Sequence, residues 1–183
     1  MKRLQRDAVL VSLIEHLREA GSWCGETHVQ KSTYFLQDLL TVPLGFEFIL
    51  YKHGPFSFDL SSELVLMRAD GILRLVPQSP YGPTLVPDRT VEVLKRNYPK
   101  TIGRYSSHVG FVANHLGRKN VAELERLGTA LYISLEAGGG SGARARAKRM
   151  VQLKPHVPLD KAIDATSEFD TIKASARQVT GMG

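Results

Sequence analysis

The sequence predicts an α+β fold in which helices pack round one short strand and one hairpin. Three observations carry this. Phe46, Phe48 and Leu50 alternate with Glu47, Ile49 and Tyr51, the period of a strand. His53-Gly54-Pro55 then halts that strand: Pro55 fixes φ and has no donor, and Gly54 opens positive φ. Apolar residues at helical spacing precede and follow this stretch.

Taken in order, a first helix is expected from about Leu4 to Ala20, with Leu10, Leu13, Ile14 and Leu17 as its apolar stripe and Gly21 as its stop. Thr27 and Gln30 read as a capping box for a second helix to about Leu40, with Val29, Thr33, Leu36 and Leu40 facing inward. After the Gly54-Pro55 turn, Ser57 is the expected N-cap of a third helix from about Phe58 to Asp70, closed by Gly71. Leu60, Leu64 and Met67 share its inner face. Ile72–Val76 reads as a strand, and Thr84–Val86 as its partner across the turn-rich Pro77–Pro83. Helix, helix, strand, helix, hairpin is a winged-helix-like order, assigned here to residues 1–87.

The rest reads as helical. Asp88 is expected to cap a helix to Asn97, and Thr101 another to Leu116 with Ile102, Tyr105, Val109, Val112 and Leu116 on one face. Asn120 and Glu123 form a capping box for a helix carrying Leu124, Leu127, Leu131 and Leu135. Residues 88–137 are thus a helical extension packed on the first unit. Residues 138–142 form a Gly-rich hinge by composition. Residues 143–176 supply C-terminal helices, the last from about Leu159 to Ala176, and 177–183 a frayed tail.

Composition bounds the function. A chain of 183 residues suits one domain, with enough length for a sizeable core. No apolar run approaches the ~20 residues of a membrane span. Lys2, Arg3 and Arg6 are followed by Asp7, Glu15 and Glu19, which is not a signal-peptide pattern. The single Cys24 excludes an internal disulfide and fits a reducing cytoplasm. Residues 1–90 carry 9 Lys+Arg against 10 Asp+Glu, and residues 91–183 carry 15 against 8. The basic character belongs to the second half.

Val29-Gln30-Lys31 followed by Tyr34-Phe35, and an aromatic strand ending in Tyr51, His53, Gly54 and Pro55, resemble the Panacea (SocA-like) antitoxin domain. Phe56-Ser57 stands where Panacea domains usually carry a small residue after Gly-Pro, and this is closer to the related YwgA-type winged-helix proteins. Lys154-Pro155-His156 before an Ala-spaced helix is similar to the end of those members. The resemblance implies a cytoplasmic, non-enzymatic bacterial or archaeal protein; Panacea domains neutralise toxins. It carries over no catalytic residue.

The third helix is the first place to look for a partner. Asp59, Glu63, Arg68 and Asp70 give it a net charge of −2, and the hairpin adds only Arg74. Phosphate contacts need Lys or Arg, so this helix is expected to meet protein through Asp59, Glu63 and Arg68. Arg144, Arg146, Lys148 and Arg149 are the alternative, a surface for nucleic acid or an acidic protein, with Arg96, Lys100 and Arg104 as possible additions. The bland reading of that run is a solvated helix.

Cys24 and His28 have C-x3-H spacing without a second pair, and His108 and His115 lie about 10 Å apart along a helix. No metal site and no cofactor are expected. Lys31 and Asp59 could pair between the second and third helices. No nucleophile elbow or Walker loop appears, and 138–142 lacks the G-K-[ST] ending of a phosphate loop. The expectation is a non-enzymatic cytoplasmic regulatory or antitoxin-like protein acting through protein contact, with a toxin or a second copy among the possible partners. The alternative is a DNA-binding regulator using the basic second half.

Overall fold

The computed structural model describes residues 1–79, 81–136 and 142–181. Its element order is α1 (Arg3–Glu19), α2 (Glu26–Tyr34), β1 (Ile49–Tyr51), β2 (Gly54–Phe56), α3 (Phe58–Ala69), β3 (Leu73–Gln78), β4 (Tyr81–Pro87), α4 (Val91–Asn97), α5 (Pro99–Leu116), α6 (Val121–Glu136), α7 (Ala143–Leu153) and α8 (Leu159–Thr180). The fold is α+β, with two small antiparallel sheets, β1–β2 and β3–β4. Among the described residues no helix is long and apolar enough to cross a membrane.

α1 is more than an amphipathic surface helix. Every residue from Asp7 to Ile14 is buried, because α1 packs along α5 and also touches α2, α4 and β4. α2 starts two residues earlier than the capping-box reading expects. Gly25, not Thr27, is its N-cap, and the Gln30 side chain is used elsewhere. The helix runs on into a π-helical turn over Phe35–Leu39. From Val42 to Tyr51 the chain alternates buried and exposed side chains, yet only Ile49–Tyr51 pairs as a strand.

Its partner is the segment expected to be the turn. Gly54–Phe56 folds back on β1 in the register Ile49↔Phe56, Leu50↔Pro55, Tyr51↔Gly54, leaving Lys52-His53 as the turn. Proline is tolerated there because a two-stranded ribbon consists of edge strands. Ser57 caps α3 as expected, its Oγ accepting from the Leu60 N–H at 3.2 Å. β3 and β4 pair with Leu75 opposite Leu85. Arg18 ties α1 to this hairpin by donating to Thr84 Oγ1 and the Leu85 carbonyl.

Three other helix starts or ends move. α4 begins at Val91 after Thr90, not at Asp88, whose N–H closes onto the Ile72 carbonyl. α5 begins with Pro99, two residues before Thr101, where the missing N–H costs nothing. α8 continues to Thr180, so the expected tail is helical to that point. The Asn120–Glu123 capping box forms in both directions, at 2.8 and 3.0 Å. The expected hinge lies outside the described residues apart from Gly142, which precedes α7. One apolar core extends from Ala8 to Ala176. Phe169 of α8 meets Phe35 edge-on, ring centroids 6.3 Å apart, so the last helix packs into the first half of the chain.

Candidate interaction site

Gly54 sits at φ +82°, a conformation that disfavours any side chain. A Cβ there would lie 3.2 Å from the Glu125 carbonyl and 3.4 Å from Lys31 Cε. The turn is therefore pressed between α2 and α6. Gly128 makes the room, since a Cβ on it would stand 3.1 Å from Pro55 Cδ.

Two buried lysines hold the hairpin from either side. Lys31, only 2% exposed, donates from Nζ to the Pro55 carbonyl at 2.7 Å. Lys154 donates to the Lys52 carbonyl at 2.7 Å and to that of Tyr51. Glu125 lies between them. Its Oε1 is 3.7 Å from Lys154 Nζ and 3.2 Å from His156 Nε2, and its Oε2 is 3.8 Å from His53 Nδ1. Burial pushes the Lys31 ammonium down to about 8; nearby Glu125 opposes the shift and Lys154 adds to it. The expected Lys31–Asp59 pair is absent: Lys31 turns to the hairpin backbone, and Asp59 stands in solvent.

Gln30, the neighbour of Lys31, treats Ser57 as a strand would. Its Nε2 donates to the Ser57 carbonyl at 2.9 Å, and its Oε1 accepts from the Ser57 N–H at 3.0 Å. Gln30 and Lys31 thus fix both the hairpin and the first residue of α3. The consequence is on the surface. Tyr51, Phe56 and Phe58 form a triad with ring centroids 5.1 to 5.9 Å apart. Tyr51 and Phe58 are exposed and Phe56 is half-buried. Farther along the outer face of α3, Val65 is 52% and Leu66 48% exposed. Leu60, Leu64 and Met67 fill its inner face. α3 is therefore apolar on both sides.

The three expected contact residues of α3 separate. Asp59 is exposed and Arg68 is half-buried. Glu63 turns inward and is held by Arg3 Nε at 2.7 Å and by Arg6, while Arg3 also reaches Asp70 at 2.7 Å. That carboxylate fastens α3 to α1. Asp7 is fully buried beside it, and burial followed by the Glu63 charge raises its carboxyl pKa.

The basic set also divides. Arg146 is buried and donates to Asp170 of α8 at 2.6 Å. Arg149 lies 3.9 Å from Glu136, and Arg144 and Lys148 are exposed one turn apart. Lys100 and Arg104 line a recess with Met1, Gln5 and Pro43, on α5 beside α1. Cys24 Sγ approaches the Ile14 carbonyl at 3.8 Å and His28 Nε2 the Leu116 carbonyl at 2.8 Å, so each is taken up by backbone.

Glu125, Gly128 and Thr129 escape the sequence reading. The Gly128-Thr129 pair inside a strong helical pattern was the available signal, since small residues in mid-helix mark a close approach. Comparison of the chain with protein-family models, with curated proteins and with solved structures finds no match.

Proposed function

We propose that this chain is a non-enzymatic, cytoplasmic regulatory or antitoxin-like protein whose winged-helix-like core binds another protein through the outer face of α3. One observation carries the reading: α3 is apolar on its outer as well as its inner face, with Phe58, Val65 and Leu66 in water on the side opposite Leu60, Leu64 and Met67. An exposed apolar face of that kind marks a contact with another surface. The aromatic triad extends the same surface, and the Gln30–Lys31 clamp holds it rigid without being part of it. The resemblance to Panacea-like and YwgA-type proteins rests on those clamp residues and agrees with a binding role. DNA contact through α7 is the weaker reading, because Arg146 is already committed to Asp170.

Site-specific photocrosslinking in cells tests this. Benzoylphenylalanine at position 66 is expected to give one discrete protein adduct, and the same group at position 148 none. The adduct's mass separates a different protein from a second copy. An adduct from position 148 alone would refute the reading.

A further inference from the structure

A cavity of about 690 Å³ opens between α3, the β3–β4 hairpin and the starts of α2 and α6. Trp23, Val65, Leu75, Leu85 and Val121 give it apolar walls, and Arg68 lies among them. Small-molecule sites typically span ~300–1,000 Å³ and combine such walls with few polar anchors. At ~30 Å³ per water, this one displaces about twenty. Leu75 is 40% and Val121 56% exposed, which leaves apolar surface of the lining without a partner inside the chain.

The charges of the cavity single out one anchor. Lys119 is matched by Glu168 at 2.6 Å and lies near Glu123. Glu26 starts α2, where the helix dipole favours a carboxylate, and accepts from Ser61 Oγ at 2.7 Å. His28 is kept neutral by burial and bound to the Leu116 carbonyl. The Arg68 guanidinium has no ion pair or hydrogen bond among the described residues. A guanidinium offers a planar fork that matches a carboxylate with two parallel bonds. One such fork, with the remaining cation neutralised, suits a single negative charge.

We propose that this cavity is a binding site for an apolar monocarboxylate, with Arg68 holding the carboxylate and the apolar body lying against Trp23, Leu75 and Leu85. The site shares Val65 with the outer face of α3 but does not depend on a protein partner there.

Trp23 is the single tryptophan of the chain and lines the cavity, so its emission reports occupancy directly. The experiment titrates the purified full chain with dodecanoate, dodecanol and dodecyltrimethylammonium below their micellar concentrations. Calorimetry gives the stoichiometry. Dodecanoate is expected to saturate Trp23 emission at one per chain. Arg68→Gln should weaken it about tenfold, the size of one charge-assisted bond, and Arg68→Lys should recover part of that loss. Dodecanol and the ammonium should bind wild type more weakly than dodecanoate does. Equal binding of the three head groups, an unchanged Arg68→Gln affinity, several molecules per chain, or no saturable signal would each overturn the assignment. So would a photocrosslink from position 75 to a protein partner that dodecanoate fails to displace.

Discussion

Replacing Lys31 by Met removes the buried ammonium that props the Gly54-Pro55 hairpin, and pH separates its two effects. At neutral pH the amine is charged. Its pKa falls from 10.5 to about 8, mainly by burial, so holding the charge inside costs about 3 kcal/mol relative to the neutral amine. The bond to the Pro55 carbonyl acts the other way, and leaving that acceptor unmet costs about 1–3 kcal/mol. The two nearly cancel, so Lys31→Met should change stability little at pH 7. Between the folded value near 8 and the unfolded value near 10.5, the unfolded chain binds more protons than the folded one, and stability rises with pH. Wild type should therefore gain about 2 kcal/mol over Lys31→Met between roughly pH 7.5 and 10. Urea denaturation of both proteins across that range measures the difference, and other lysines and tyrosines drop out of it. A difference that stays flat, or that favours the Met variant as pH rises, would refute the burial of a charged Lys31 under the hairpin.

Gln30→Ala deletes both bonds to Ser57 and should cost about 2–3 kcal/mol, read as a lower urea midpoint with an unchanged slope. Gly54→Ala should cost at least ~1 kcal/mol through positive φ alone, with more from the 3.2 Å approach to the Glu125 carbonyl; an unchanged melting temperature would contradict that geometry. Arg146→Ala strands Asp170 and empties a buried site, so it should destabilise the fold, whereas Arg144→Ala and Lys148→Ala should fall within about 0.5 kcal/mol of wild type in calorimetry.

Most of the fold was legible because local chemistry and tertiary packing agree there. Ser57, Gly71 and the Asn120–Glu123 pair act at helix ends as their residue types require. The inward faces of α3 and α5 follow their spacing, whereas α2 is buried on all sides from His28 to Tyr34. The misreadings share a cause, since in each a side chain with a good local use has a better distant one. Gln30 could close a capping box three residues after Thr27, but it satisfies two buried backbone groups of Ser57 instead. Glu63 and Arg146 read as solvent-facing charges, yet each is drawn inward by a counter-charge more than twenty residues away. Gly54-Pro55 read as a stop because Pro ends strands; in a two-stranded ribbon it can be a strand residue. The clamp on the hairpin needs Lys31, Glu125 and Lys154 together, and no local pattern joins positions so far apart.

In the proposed function the outer face of α3, not the basic helix α7, makes the contact with the partner. Two variants measured side by side test it: Val65→Asp with Leu66→Asp, and Arg144→Gln with Lys148→Gln and Arg149→Gln. Each is used as bait against the partner captured by the crosslink from position 66, and each is titrated with duplex DNA at two salt concentrations. The α3 variant should lose the protein complex while keeping its melting temperature, and the α7 variant should retain it. Any DNA binding should be weak, independent of sequence and steeply salt-sensitive. A complex that survives the α3 substitutions, or sequence-specific, salt-tolerant DNA binding that depends on Arg68, would contradict the account.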